Sequence, residues 1–200
     1  MIEEITMDMI PIEDGQLRFQ ENYIPAEESD ELLRHLLAEL AWREEDIMIA
    51  GRRVRAPRLV CWYGDPDARY RYSGIIHEPL LWLPILSTLK SRIQTTCGRP
   101  FNSVLANLYR DGHDSMGWHA DQEKELGINP EIASLSFGAT RLFRLRHNRT
   151  GQMLELPLNH GSLLWMGGSL QHHWRHCVPK CRGITTARVN LTYRTILQTV

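Results

Sequence analysis

The run Trp118-His119-Ala120-Asp121 places an imidazole and a carboxylate two positions apart. Alternate side chains of an extended segment project to one side, so His119 and Asp121 can present a nitrogen and an oxygen to a single ion. A second histidine delivered by another strand would complete a face of two histidines and one carboxylate with open positions, the ligand set suited to non-haem iron(II). The pair alone arises often by chance. Further ligands are at hand in QHHWRHC, which holds His172, His173 and His176 beside Cys177, with Cys181 four positions on. This run also reads as a polar turn, or as a small structural zinc site, although it lacks the paired CxxC spacing of strong zinc sites.

The run RVNLTYR carries a second kind of chemistry. As a strand it puts Arg188, Asn190, Thr192 and Arg194 on one face and Val189, Leu191 and Tyr193 on the other. On an edge strand the arginines would simply face water. In the centre of a sandwich they would be buried, and a buried guanidinium needs an anionic partner. A dicarboxylate would supply it. The metal face and the arginine face together describe a site for an ion and a dicarboxylic co-substrate.

Two helices and a set of strands must position these residues. Residues 25–42 set Leu32, Leu33, Leu36, Leu37 and Leu40 on one stripe, with acids in the first turn where the helix dipole favours them. A second helix is predicted from Pro84 to Cys97, with Ile85, Leu86, Leu89 and Ile93 buried and Gly98 as its stop. From Asn102 onward, SVLANLYRDG, IASLSFGATRLFRLRH, MLELPLNHGSLLWMGG and ARVNLTYRTIL read as short strands between turns. Helices followed by many short strands predict an α+β chain whose β part is a sandwich or jelly roll braced by helices.

The segment AGRRVRAPRLVCWYGDPDARYRY sets Arg52, Arg53, Arg55, Arg58, Arg69 and Arg71 against Asp65 and Asp67, interleaved with Trp62, Tyr63, Tyr70 and Tyr72. Arginine among aromatics suits phosphate contact and base stacking, although a hairpin with a solvated charged face has the same composition. The whole chain has a net charge of −1, so no global field draws it onto nucleic acid. Its 200 residues, 42% hydrophobic, predict one compact domain. The start MIEEITMDMI is acidic where a signal peptide is basic, and no apolar run approaches the roughly 20 residues that span a bilayer. A cytoplasmic protein with no membrane partner is expected, its four cysteines kept as thiols.

NLYRDGHDSMGWHAD, ASLSFGATRLFRLRH, HGSLLWMGG, HHWRHCVP and RVNLTYR, in this order, resemble the AlkB family of iron(II)- and 2-oxoglutarate-dependent dioxygenases over roughly residues 57–197, and upstream PR, YGD and YRYSG resemble its DNA-repair branch. The resemblance implies a double-stranded β-helix, or jelly roll, over about 101–200, with bracing helices and a nucleotide-recognition lid over about 1–100. It makes His119, Asp121 and His176 the ligands of Fe(II) and the catalytic centre, with His176 chosen because it precedes CVP and His173 left beside the metal. It assigns 2-oxoglutarate to Arg188, with Tyr109 donating its hydroxyl, and to Asn107, Asn190, Thr192 and Arg194. It places Tyr70, Tyr72 and Glu123 around a flipped base, with Tyr72 stacking opposite His119, and Arg58 on phosphate.

The implied function is oxidative demethylation of lesions such as 1-methyladenine and 3-methylcytosine, releasing formaldehyde, succinate and carbon dioxide, by a monomer acting on alkylated single-stranded or duplex DNA. Methylated RNA is the alternative substrate. A non-catalytic, metal-containing nucleic-acid-binding module is the alternative of a different class. Where duplex-preferring relatives insert an aromatic finger into the stack, this chain reads MIAGRR, with Ile49 or Ala50 as the weaker wedge.

Overall fold

The structure is a computed structural model that describes residues 7–49, 51–72 and 75–197; the side chains of residues 48, 49, 70–72 and 75–77 lie outside that description. In chain order the elements are β1 (Asp8–Ile10), β2 (Gln16–Gln20), α1 (Ala26–Glu39), β3 (Arg43–Ile49), β4 (Arg52–Gly64), β5 (Tyr70–Tyr72) and β6 (Ile75–His77). They continue with α2 (Pro84–Cys97), β7 (Ser103–Tyr109), β8 (Met116–His119), β9 (Ile132–Gly138), β10 (Arg141–His147) and β11 (Met153–Leu158). The chain closes with β12 (Ser162–Gly167), α3 (Leu170–His173), β13 (Trp174–Val178) and β14 (Arg188–Arg194).

Helix α2 spans the predicted residues. Its proline sits in the first turn, and Gly98 takes the left-handed conformation (φ 66°) that lets its N–H reach Gln94 O at 2.9 Å. Helix α1 is shorter than the 25–42 expected. Leu40 turns extended, and the Trp42 indole N–H donates back to Leu36 O at 3.2 Å, covering a carbonyl of the last turn. The stripe is narrower too: Leu36 and Leu40 are buried, Leu32 and Leu33 pack at the core margin, and Leu37 faces solvent.

Eight strands form a large sheet in the order β1-β2-β12-β9-β14-β7-β4-β3, and four form a smaller one in the order β11-β10-β13-β8; β5 and β6 pair separately. One face of the large sheet packs on the two helices, joining Leu36, Leu86, Leu89 and Ile93 to Ala106, Leu135, Val189, Leu191 and Tyr193. The smaller sheet covers the opposite face. This is the expected jelly roll on bracing helices, with strands from the first hundred residues built into it: β2 pairs β12, and the second half of β4 pairs β7.

Strand β14 lies between β9 and β7, so the central reading of RVNLTYR holds and the edge reading does not. Arg188, Asn190 and Thr192 are buried and Arg194 nearly so. Their face looks into the space between the two sheets.

Candidate metal and co-substrate site

The pairing of β8 with β13 sets His119 directly opposite His176, with ring centroids 4.2 Å apart. Asp121 follows two residues after His119, and its backbone N–H donates to Oε1 of the buried Gln171 in α3 at 2.9 Å. Ligand atoms of His119, Asp121 and His176 all lie within 4.8 Å of one another. Hydrogen bonding decides which lone pairs are available. A carbonyl can only accept, so His119 Nδ1 donates to Gly117 O at 2.9 Å and Nε2 keeps its lone pair, 3.7 Å from Asp121 Oδ1. Arg194 donates to the other oxygen, Oδ2, from Nη2 at 2.8 Å and Nε at 3.2 Å.

The charges suit a cation. Burial, with His119 and Arg194 adding to it against the pull of Asp121, takes His176 down to about 3, so its ring is neutral at physiological pH. Burial alone would raise the Asp121 carboxyl, but Arg194 and both histidines outweigh it and hold the group well below the usual carboxylate range. A neutral His176 imidazole and an ionised Asp121 carboxylate therefore converge with the His119 ring, and His176 Nδ1 is buried with no hydrogen-bond partner.

His173 is elsewhere. It belongs to a second group, with Asp14 and His147. There the Thr150 N–H donates to His147 Nδ1 at 3.1 Å, so the proton sits on Nε2, which donates to Asp14 Oδ2 at 3.2 Å. Both ring nitrogens of His147 are thus engaged, whereas His119 keeps one for an ion. His172 is engaged as well, its Nε2 donating to Ile128 O and to Asn129 Oδ1. Among the three histidines of QHHWRHC, only His176 reaches His119 and Asp121.

Above the metal group, the register of β14 with β7 places Arg188 opposite Tyr109 and Asn190 opposite Asn107. The Arg188 guanidinium lies 5.2 Å from the Tyr109 ring centroid, and its Nη2 donates to Ser136 Oγ at 2.9 Å. Its Nε and Nη1 are buried and unpartnered. An unpaired buried donor costs roughly 1–3 kcal/mol, more when charged, so the arrangement calls for an anionic acceptor. Burial lowers Arg188 to about 10, opposed by Tyr109 and assisted by Arg141, which leaves it charged at neutral pH. Asn190 Nδ2 donates to Ser134 Oγ and Leu135 O, and Thr192 Oγ1 donates to Asn190 Oδ1, which fixes that face. One cavity is lined by the metal group and by Asn107, Tyr109, Arg188, Asn190, Thr192 and Arg194. Iron(II) and 2-oxoglutarate fit what lines it.

The predicted substrate residues are less concentrated. Arg58 is half-buried and turned inward, its Nε donating to Asn107 Oδ1 at 2.8 Å. Glu123 is half-buried with Oε2 unpartnered, just before the short turn Lys124–Leu126. Tyr70 and Tyr72 sit on β5 opposite His77 and Ile75, and their side chains lie outside the described residues, as do Ala50 and the Ile49 side chain. Arg53 and Arg55 are exposed and meet Asp46 and Glu44 on β3. Such surface pairs are worth about 0–1 kcal/mol, so phosphate can displace them.

The sequence reading missed Ser134 and Ser136, which support the β14 face, and Gln171, which holds Asp121. IASLSFG carried a signal for the serines: their alternation with Leu135 marks a strand polar on one side. Nothing local marks Gln171.

A family model described as the 2OG-Fe(II) oxygenase superfamily matches residues 16–194. The chain is 42% identical over 184 residues to the alpha-ketoglutarate-dependent dioxygenase alkB homolog 3 of Rattus norvegicus, covering 87% of this chain and 62% of that protein. It is 38% identical over 183 residues to the DNA oxidative demethylase ALKBH2 of Mus musculus, covering 86% of this chain and 77% of that one. The chain thus spans under two thirds of the length of the rat relative. The solved structure of OsALKBH1 shares the fold, with a TM-score of 0.63 at 16% identity over 94% of this chain and 100% of that one. With a two-histidine, one-carboxylate group and a buried arginine face in one cavity, the chain belongs to the 2OG-Fe(II) oxygenase superfamily, among its AlkB homologues, a family whose metal is iron(II) and whose co-substrate is 2-oxoglutarate.

Proposed function

We propose that this protein is an oxidative demethylase of alkylated nucleic acid, acting on N-methyl lesions such as 1-methyladenine and 3-methylcytosine in DNA. The observation that carries the reading is the single cavity shared by the metal group and the two arginines of β14. His119, Asp121 and His176 would hold iron(II). Arg188 takes the distal carboxylate of 2-oxoglutarate through its fork of donors, with the Tyr109 hydroxyl beside it, while Asn107, Asn190, Thr192 and Arg194 line the rest of that ligand's bed. Bound together, iron(II) and 2-oxoglutarate supply oxidation of a methyl C–H bond by dioxygen, releasing succinate and carbon dioxide; the hydroxymethyl base then loses formaldehyde.

The chain's own share is placement. Asp121 would offer Oδ1 to the metal while Arg194 holds Oδ2, and the apolar walls formed by Phe143, Leu158 and Met166 exclude water. Tyr70, Tyr72 and Glu123 receive the flipped base, and the β3–β4 hairpin approaches the strand, with Arg58 reaching phosphate by giving up its bond to Asn107 Oδ1. The start of β4 exposes Arg52, Arg53 and Arg55, and Gly51 turns the chain with a φ of 76°. No aromatic finger stands in MIAGRR. A tip of this kind favours a strand already unpaired, whether single-stranded DNA or RNA.

The test is mass spectrometry of oligonucleotides carrying one 1-methyladenine or 3-methylcytosine, as single-stranded DNA, duplex DNA and RNA, incubated with protein, iron(II), ascorbate and 2-oxoglutarate. Loss of one methylene mass that depends on 2-oxoglutarate is the expected result. Tight zinc binding without consumption of 2-oxoglutarate would overturn it in favour of a non-catalytic module.

A further inference from the structure

Arg141, the first residue of β10, is a second buried guanidinium beside Arg188. It is 1% exposed. Its Nη1 donates to Asp111 O at 3.0 Å, and its Nη2 donates to Asp114 O at 2.8 Å and to Pro179 O at 2.7 Å. These acceptors are neutral carbonyls. The carboxylate of Asp114 is bound instead by Arg110, through Nε and Nη2, both at 2.8 Å. Among the described residues no carboxylate lies within ion-pair distance of Arg141 or of Arg188. Against the effect of burial, Arg141 helps Arg110 to lower the Asp114 carboxyl at longer range, but its direct partners are all dipoles; a buried charge so held is costly, and in a low-dielectric interior its field reaches further than in water.

Both guanidiniums lie over the ring of Tyr109, Arg141 at 5.4 Å and Arg188 at 5.2 Å from its centroid. Three carbonyls from two loops fix Arg141, so it fixes the ring in turn. Gly138, paired with Arg188 in the β9–β14 register, stands three residues before Arg141.

We infer that Arg141 is a positioning residue for the dicarboxylate: it holds the Tyr109 ring against Arg188 and adds a second positive charge, only partly offset by the more distant Asp114 carboxylate, behind the distal end of the co-substrate bed. This rests on the reading of the cavity as a 2-oxoglutarate site. The consequence is selectivity. A 2-oxo acid with a distal carboxylate gains from the charge of Arg141, and one without it gains little.

The experiment is anaerobic calorimetry of the iron(II)-loaded protein with 2-oxoglutarate and with 2-oxobutyrate, which keeps the 2-oxo acid end and lacks the distal carboxylate. Arg141→Met should weaken 2-oxoglutarate about tenfold, leave 2-oxobutyrate within about twofold, and leave iron(II) affinity unchanged. Arg141→Lys should recover part of the 2-oxoglutarate affinity by restoring the charge, even where its melting temperature stays low because three carbonyls have lost their fork. Should Arg141→Met not fold, Arg141→Gln, neutral but still a donor, takes its place in the comparison with Arg141→Lys. An equal loss for both acids, or no loss for either, would overturn the inference while the cavity reading stands. Failure of the unaltered protein to bind 2-oxoglutarate would overturn that reading and the inference with it.

Discussion

Arg194 and Asp121 form a one-sided pair: Nη2 and Nε of the arginine both donate to Oδ2, at 2.8 and 3.2 Å, while Oδ1 faces His119 Nε2 at 3.7 Å. One carboxylate oxygen is anchored and the other is aimed at the metal position. Arg194→Lys keeps the charge and loses the two-pronged hold, so iron(II) or cobalt(II) affinity should fall by roughly 10–100-fold, the usual cost of removing a group that orients a metal ligand. Metal titration followed by calorimetry checks this, and an unchanged affinity would mean that Asp121 is held well enough by Gln171 alone.

The choice between His173 and His176 is open to direct test. His176→Ala should abolish binding of one equivalent of iron(II) or cobalt(II), because it removes one of three converging ligands. His173→Ala should leave that binding within about twofold, since its ring stacks on His147 with centroids 6.0 Å apart, in the other cluster. The reverse pattern in a cobalt(II) absorption titration would move the metal.

Arg188 carries two unpartnered buried nitrogens that an anion would satisfy. Arg188→Ala should raise the dissociation constant for 2-oxoglutarate by at least roughly tenfold with metal affinity retained, and Arg188→Lys should rescue little, because an ammonium cannot offer the same fork. If Arg188→Ala left 2-oxoglutarate turnover intact, the role given to the polar face of β14 would be wrong.

Alkaline pH should weaken the fold. Burial raises the thiols of Cys61 and Cys97 from 9.0 to about 12, and it raises the Tyr193 phenol well above its ordinary value. In the unfolded chain these groups lose their protons at lower pH than in the folded one, so the stability they contribute is intact below pH 9.0 and is lost as pH climbs toward about 12. Melting temperatures measured across that window should fall steadily. In the native protein at about pH 8, iodoacetamide should modify Cys181, the exposed thiol, well before Cys61 and Cys177, which are buried.

Much of the site was legible in local pattern. The two-residue spacing of His119 and Asp121 and the alternation of RVNLTYR follow from strand geometry, which the backbone imposes on any extended segment. Pro84 and Gly98 marked the ends of α2 because each residue has a conformational restriction or freedom of its own. What local pattern leaves open is which distant segments meet. Spacing alone left three histidines as candidates for the third ligand, the family resemblance pointed to His176, and contacts between distant segments give the physical reason: His173 is drawn away by Asp14 of the N-terminal turn, while the β8–β13 register carries His176 to His119. Strand β14 became a co-substrate face rather than a solvated edge because β9 and β7 flank it on both sides. The arginines of β4, an uncompensated basic run in the sequence, face Glu44 and Asp46 once β3 folds back beside them. Residue types determined which chemistry was available; hydrogen-bond register between segments far apart in the chain determined which of those groups share one cavity and which are neutralised elsewhere.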